Sequence, residues 1–135
     1  DVNGFDFVPG VYRNCGVHII SSSGVTHLFP DEEHVVSLME EWEEDVAKLL
    51  VRNKGTITEE EVLDIAYHFL SIHPFPDGNG RTSRLLWNML RLHCGFAWKI
   101  QYEKGKFEYY NDIKRYEDTV FAKRYPHVFP TGGIK

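Results

Sequence analysis

The sequence predicts a mainly α-helical fold, a helical bundle carrying one β-hairpin, and three observations support this. Apolar residues recur at helical spacing in successive segments, and prolines and glycines punctuate the chain between them. Two short β-prone runs, Val17 to Ile20 and Val25 to Leu28, flank the stretch Ser21-Ser22-Ser23-Gly24, which suits a hairpin loop. A chain of 135 residues can bury one core and is too short for two, so residues 1–135 are expected to form a single domain.

The elements follow in order. Gly4, Pro9, Gly10 and Gly16 interrupt an extended lead-in, whose Phe5, Phe7 and Tyr12 are expected to lie over the core. After the hairpin, Pro30 and Asp31 open a helix in which Val35, Met39, Trp42, Val46 and Leu49 recur every three or four residues. Asp31 is its expected N-cap, the acidic first turn suits the helix dipole, and the helix should end near Asn53 to Gly55. Thr58 and Glu61 have the capping-box spacing, and Val62, Ile65, Ala66, Phe69 and Ile72 mark one face of a second helix from Thr58 to His73. Pro74 and Pro76 bar its continuation. Leu85, Leu86, Met89, Leu90 and Leu92 predict a third helix from near Gly80 to Gly95, with this stripe expected to be core packing. A last helix is expected from about Phe107 to Phe121, then an irregular tail from Arg124 to Lys135.

Composition narrows the functional classes. With 42% hydrophobic and 26% charged residues the chain should fold, and its formal net charge of -5 gives no basic field of the kind nucleic-acid binders use. No nucleic acid is expected as a main partner, and phosphate chemistry would have to rest on a local arrangement of arginines and backbone N–H groups. Cys15 and Cys94 share no metal-ligand spacing, which reads as a reduced protein. No run approaches 18 apolar residues and Asp1 to Gly10 does not resemble a signal peptide, so no membrane and a cytoplasmic location are expected. The first residue is Asp1 and not Met, as in an excised or processed piece.

One segment concentrates the chemistry, His73-Pro74-Phe75-Pro76-Asp77-Gly78-Asn79-Gly80-Arg81-Thr82-Ser83-Arg84. Gly78, Asn79 and Gly80 can adopt positive φ at little cost, which would turn successive N–H groups into one concavity ahead of a helix N-terminus, a phosphate nest. Arg81 and Arg84, three apart, project to neighbouring positions, and each guanidinium can grip phosphate oxygens in pairs. Two cations at the positive end of a helix conflict with its dipole, a conflict that an anion would relieve. Asp77 offers a hard oxygen ligand for a nucleotide-bound Mg2+, and His73 is the natural general base for an attacking hydroxyl. Phe75 reads as an apolar anchor for the loop. Taken singly, a His-Pro stop, a Gly-rich turn and a solvated Arg pair are ordinary features. Together they place a base, a metal ligand, an anion nest and two phosphate clamps within twelve residues.

The segment resembles the signature of the Fic family, His-x-Phe-x-(Asp/Glu)-Gly-Asn-Gly-Arg-x-x-Arg, at every fixed position, and the flanking helices and the hairpin after Val11-Tyr12-Arg13 agree. The resemblance implies a Fic-type helical bundle with a hairpin flap over residues 17–28 and a protein adenylyltransferase that moves AMP from Mg-ATP to a target hydroxyl. By the same resemblance His73 deprotonates the hydroxyl and Asp77 holds Mg2+. Gly78, Asn79 and Gly80 form the anion hole, with Asn79 on the α-phosphate, and Arg81 and Arg84 hold the outer phosphates. Tyr109 and Tyr110 resemble an aromatic pair that some members set against adenine. The implied partners are ATP and a target protein docked on the flap. Members delivered into other cells extend the expected location beyond the cytoplasm.

Many members carry an inhibitory helix bearing Ser/Thr-x-x-x-Glu-Gly/Asn. Ser37 with Glu41 is followed by Trp42, and Thr56 with Glu60 by Glu61, so neither fits. Restraint would then come from a flank, from a separate inhibitory helix or antitoxin partner, or not at all. Alternatives left open are another donor such as UTP, transfer of phosphocholine or phosphate, removal of AMP from protein, a catalytically idle nucleotide- or peptide-binding module, and a metal-dependent nuclease.

Overall fold

The computed structural model describes residues 10–20, 26–100 and 106–130. Phe5 and Phe7 of the lead-in lie outside them. Two three-residue strands, β1 (His18–Ile20) and β2 (Thr26–Leu28), pair antiparallel with His18 opposite Leu28. A 3-10 turn at Glu32–His34 leads into α1 (Val35–Val51), followed by α2 (Glu59–Ile72), α3 (Asn79–His93) and α4 (Lys106–Tyr116). A π-helical segment, Glu117–Phe121, and the short α5 (Ala122–Arg124) complete the order. The mainly helical architecture with an attached hairpin is the expected one. Among the described residues no helix is long and apolar enough to cross a membrane.

The cause of α2 is local. Thr58 accepts a hydrogen bond from the Glu61 backbone N–H at 3.1 Å, and the Glu61 carboxylate accepts one from the Thr58 N–H at 3.2 Å, the reciprocal pair its sequence predicts. From Ala66 to Ile72 every residue of α2 is buried, so this end is enclosed on all sides and forms the spine of the domain. One core cluster joins α1 (Val35, Leu38, Met39, Trp42) to Tyr67, Phe69, Leu70 and Ile72 of α2 and to Tyr116, Phe121, Tyr125 and Val128. The tail is therefore irregular but not idle: Val128 is fully enclosed, and its carbonyl accepts the Asp31 N–H at 2.8 Å. A second cluster joins Leu49 and Ile57 to Val62 and Ala66 of α2 and to Trp87, Leu90 and Cys94.

Three expectations need correction. Asp31 stands before the 3-10 turn, not before α1, and caps with its carbonyl, which accepts the His34 N–H at 3.0 Å; its side chain makes no capping bond. Three of the five residues in the stripe assigned to the core in α3 lie outside it, since Leu85, Met89 and Leu92 are all more than half exposed. Trp87 and Leu90, with Ser83 pressed against the Ala66 carbonyl, set the rotation of the helix and turn those three outward. Gly80 does not take positive φ and, with Asn79, already belongs to the first turn of α3. The glycine expected to close that helix behaves as foreseen. Gly95 sits at φ +89, with Phe96 N–H donating to the Arg91 carbonyl and Gly95 N–H to that of Leu92, a Schellman ending.

Candidate active site

The chemistry-bearing segment runs from the C-terminus of α2 to the N-terminus of α3, and both ends are fixed by bonds to distant parts of the chain. His73 is the C-cap of α2 and adopts a left-handed conformation, φ 54, unusual for a residue other than glycine. Arg13, almost fully buried, enforces it. Its Nε donates to the His73 carbonyl at 2.7 Å and its Nη2 to those of Pro30 and Ile72 at 2.6 and 3.2 Å, while Nη1 reaches the Cys15 carbonyl at 2.9 Å. One guanidinium thus satisfies carbonyls orphaned at the end of α2 and ties them to the chain on either side of the hairpin.

At the other end the Asn79 side chain behaves as a peptide. Its Oδ1 accepts the Phe75 N–H at 2.9 Å and its Nδ2 donates to the Phe75 carbonyl at 2.8 Å. This staple holds the loop in a tight arc, and Phe75 packs against Tyr12 and Phe69, the anchoring role expected of it. The amide assigned to the α-phosphate is therefore engaged within the loop. Gly78 is the N-cap at φ +80, a conformation that a side chain would strain. No side chain caps α3, so the N–H groups of its first turn form the positive end of a helix dipole. The nest thus consists of one left-handed glycine and a helix terminus.

The His73 ring is stacked on Phe29, centroids 3.9 Å apart. Burial lowers its pKa from 6.5 to about 4, with Arg13 and His27 adding to the effect and the Leu70 carbonyl and Asp77 opposing it. The imidazole is consequently neutral at neutral pH. Its Nδ1 is buried without an aligned hydrogen bond, which leaves Nε2 as the nitrogen to meet a substrate. Asp77 is well exposed, its carboxylate 3.6 Å from the Arg81 guanidinium one turn on. Such an exposed carboxylate is a ligand type that Mg2+ takes together with substrate phosphates and waters.

Arg81 and Arg84 border a recess of about 320 Å³ completed by Leu85, Asn88, Trp98, Lys99 and Ile100. Asn88 holds its far wall as Asn79 holds the loop, accepting the Lys99 N–H at 2.9 Å and donating to the Lys99 carbonyl at 3.0 Å. Thus α3 staples the loop before it and the loop after it with the same device. The structure brings together His73, Asp77, Gly78, Asn79, Gly80, Arg81 and Arg84. Tyr109 and Tyr110 belong to α4 by their backbone, and their side chains lie outside those described. Sequence reasoning missed Arg13 as a brace, Asn88 and the 98–100 wall. The exposed Trp98 beside Lys99 was the one local signal for the last.

A family model described as the Fic/DOC family matches residues 2–90. Over 48 residues, 36% of this chain, it is 46% identical to "Protein adenylyltransferase Fic" of Drosophila mojavensis and 47% identical to the protein so named in Aedes aegypti. The matches span only 10% of the length of these relatives. A crystal structure of a Fic domain containing signaling protein from Bacteroides thetaiotaomicron superposes with a TM-score of 0.65 over 84% of this chain and 42% of that one, at 24% identity, a likeness of fold.

Proposed function

The chain belongs to the Fic/DOC family, and from that premise we propose that it is a protein adenylyltransferase, transferring AMP from Mg-ATP to a Ser, Thr or Tyr hydroxyl of a target protein. The observation that carries this reading is a neutral histidine, His73, held in a strained backbone conformation beside an uncapped helix N-terminus that begins at left-handed Gly78. A base facing an anion cradle is what nucleotidyl transfer to a hydroxyl requires.

In the proposed reaction the phosphates lie at the first turn of α3, where backbone N–H groups from Gly78 to Gly80 stabilise charge on the α-phosphate as it becomes five-coordinate. Arg81 and Arg84 hold the outer phosphates. Asp77 would hold Mg2+, which when bound with the nucleotide neutralises phosphate charge. His73 Nε2 takes the proton of the target hydroxyl while its oxygen bonds to the α-phosphorus. The bond from that phosphorus to the oxygen bridging the α- and β-phosphates breaks, and pyrophosphate leaves. The imidazolium so formed is offset by the phosphates, which raise the proton affinity that burial lowers. The target would present its hydroxyl in an extended segment along the hairpin edge, by backbone pairing. Tyr109 and Tyr110 would face the adenine. A separate inhibitory helix or antitoxin would act by engaging the Arg81–Arg84 end of α3.

The test is incubation with α-32P-ATP and Mg2+, alone and with cell lysate. Magnesium-dependent label on protein that disappears in His73→Ala supports the proposal. Label from α-32P-UTP and none from ATP would replace the donor, and ATP binding without label from either would leave a binding module.

A further inference from the structure

A two-stranded hairpin of three residues per strand has too little pairing to hold itself in one place, so its position depends on what it touches. β2 touches the helical body through His27, whose Nε2 lies 2.9 Å from Oε2 of Glu117. Glu117 is an unusual partner. Its side chain is only 5% exposed, and that oxygen has no aligned hydrogen bond, so the close His27 nitrogen is the polar group that meets it. A carboxylate so enclosed is costly unless a donor or cation meets it, and the group that meets it comes from the hairpin. Glu117 is also the first residue of the π-helical segment, a local widening that interrupts the regular helix and turns Glu117 and Phe121 inward. Such interruptions cost backbone geometry and concentrate where a side chain must be aimed.

From His27 the contact continues toward the reacting centre. The His27 ring packs on Phe29, centroids 4.7 Å apart, and Phe29 is the residue stacked on His73. Glu117, His27, Phe29 and His73 thus form one row of contacts from the C-terminal helix, through the hairpin, to the proposed base. We propose that Glu117 and His27 are positioning residues: their contact latches β2 onto the helical body and keeps Phe29 stacked on the His73 ring. When the latch opens, the hairpin edge and the imidazole lose their fixed relation together. This inference rests on the reading of His73 as the base, but its test does not require transfer to be seen.

Phe29 shields the His73 ring protons through its ring current, so their NMR positions report the stacking directly. His73→Ala assigns the signals in the intact chain, and Glu117→Gln, His27→Gln and the double variant are compared with the parent. Latching predicts that the His73 ring signals lose their upfield shift in both single variants, with core methyl signals of α1 and α2 unmoved, and that the double variant adds nothing to the larger single effect. Unmoved His73 signals, or His73 and core methyls shifting together, would overturn it. Should Glu117→Gln fold poorly, His27→Gln on the more exposed partner decides alone. If transfer is detected, the latch variants should lower kcat with the KM for ATP unchanged. An NMR result as predicted without transfer would refute the proposed function and leave the latch standing.

Discussion

The signature loop and the hairpin meet where Phe29, just after β2, stacks on His73, yet they are built in opposite ways. The loop is over-determined: Arg13 fixes its first carbonyls, Asn79 its middle, Phe75 its underside and Gly78 its exit. The hairpin has two three-residue strands and the His27–Glu117 contact, with its firm anchorage outside the strands, where Cys15 and Pro30 meet Arg13 and Asp31 meets Val128. In the proposed function the loop stabilises a transition state and must not move, whereas the hairpin edge admits a polypeptide and must accommodate it. The molecule spends its buried polar bonds on the first requirement and few on the second.

The strongest way to break this contrast is Arg13→Ala, which orphans carbonyls at the end of α2 and frees both flanks of the hairpin. It should cost about 3 kcal/mol or more in urea unfolding. Arg13→Lys should recover only part, since an ammonium lacks the planar fork.

Acid should loosen the loop side next. His68, buried with its Nδ1 3.2 Å from the Tyr116 hydroxyl, has its pKa lowered to about 4 by burial, as does His73. For a histidine whose folded pKa lies below its unfolded value, the unfolded chain binds more protons between the two values. Stability is therefore complete above about pH 6.5 and falls as the pH drops toward about 4, by on the order of 3 kcal/mol per histidine. Denaturant midpoints measured from pH 7.5 to 4 should show this slope, and His68→Phe should reduce it.

Gly78→Ala forces a side chain into φ +80 and should cost about 1–2 kcal/mol, with a larger loss of ATP affinity because the cradle must shift. Thr58→Ala, at the far end of α2, should cost about 1 kcal/mol and leave ATP affinity unchanged. Unfolding curves paired with calorimetric titration separate these two variants. The smallest effect is expected from Met89→Gln on the exposed face of α3, within about 0.5 kcal/mol of the parent.

What could be read in advance was whatever is local. The Thr58–Glu61 box, the prolines that end α2, Gly95 and the hairpin all rest on residues a few positions apart, and each stands close to its expected place. The signature that points to the family was legible for the same reason. Arg13 acts across 60 positions and Glu117 meets a strand far upstream, and periodicity carries no information about such pairs. The family resemblance put Asn79 on the α-phosphate, and its pairing with the Phe75 peptide was not legible in the sequence because it depends on the arc of the loop. The apolar residues of α3 were too many to fix its rotation, and Trp87 decided it by filling the gap beside α2.

In the proposed reaction His73 contributes a base to a nucleotide site formed independently of it. Mg-ATP affinity and transfer of α-32P label, measured side by side in the parent and in His73→Ala, separate the two roles. Unchanged affinity with no detectable transfer is expected in the variant, and transfer at the parent rate without the imidazole would overturn the assignment of the base.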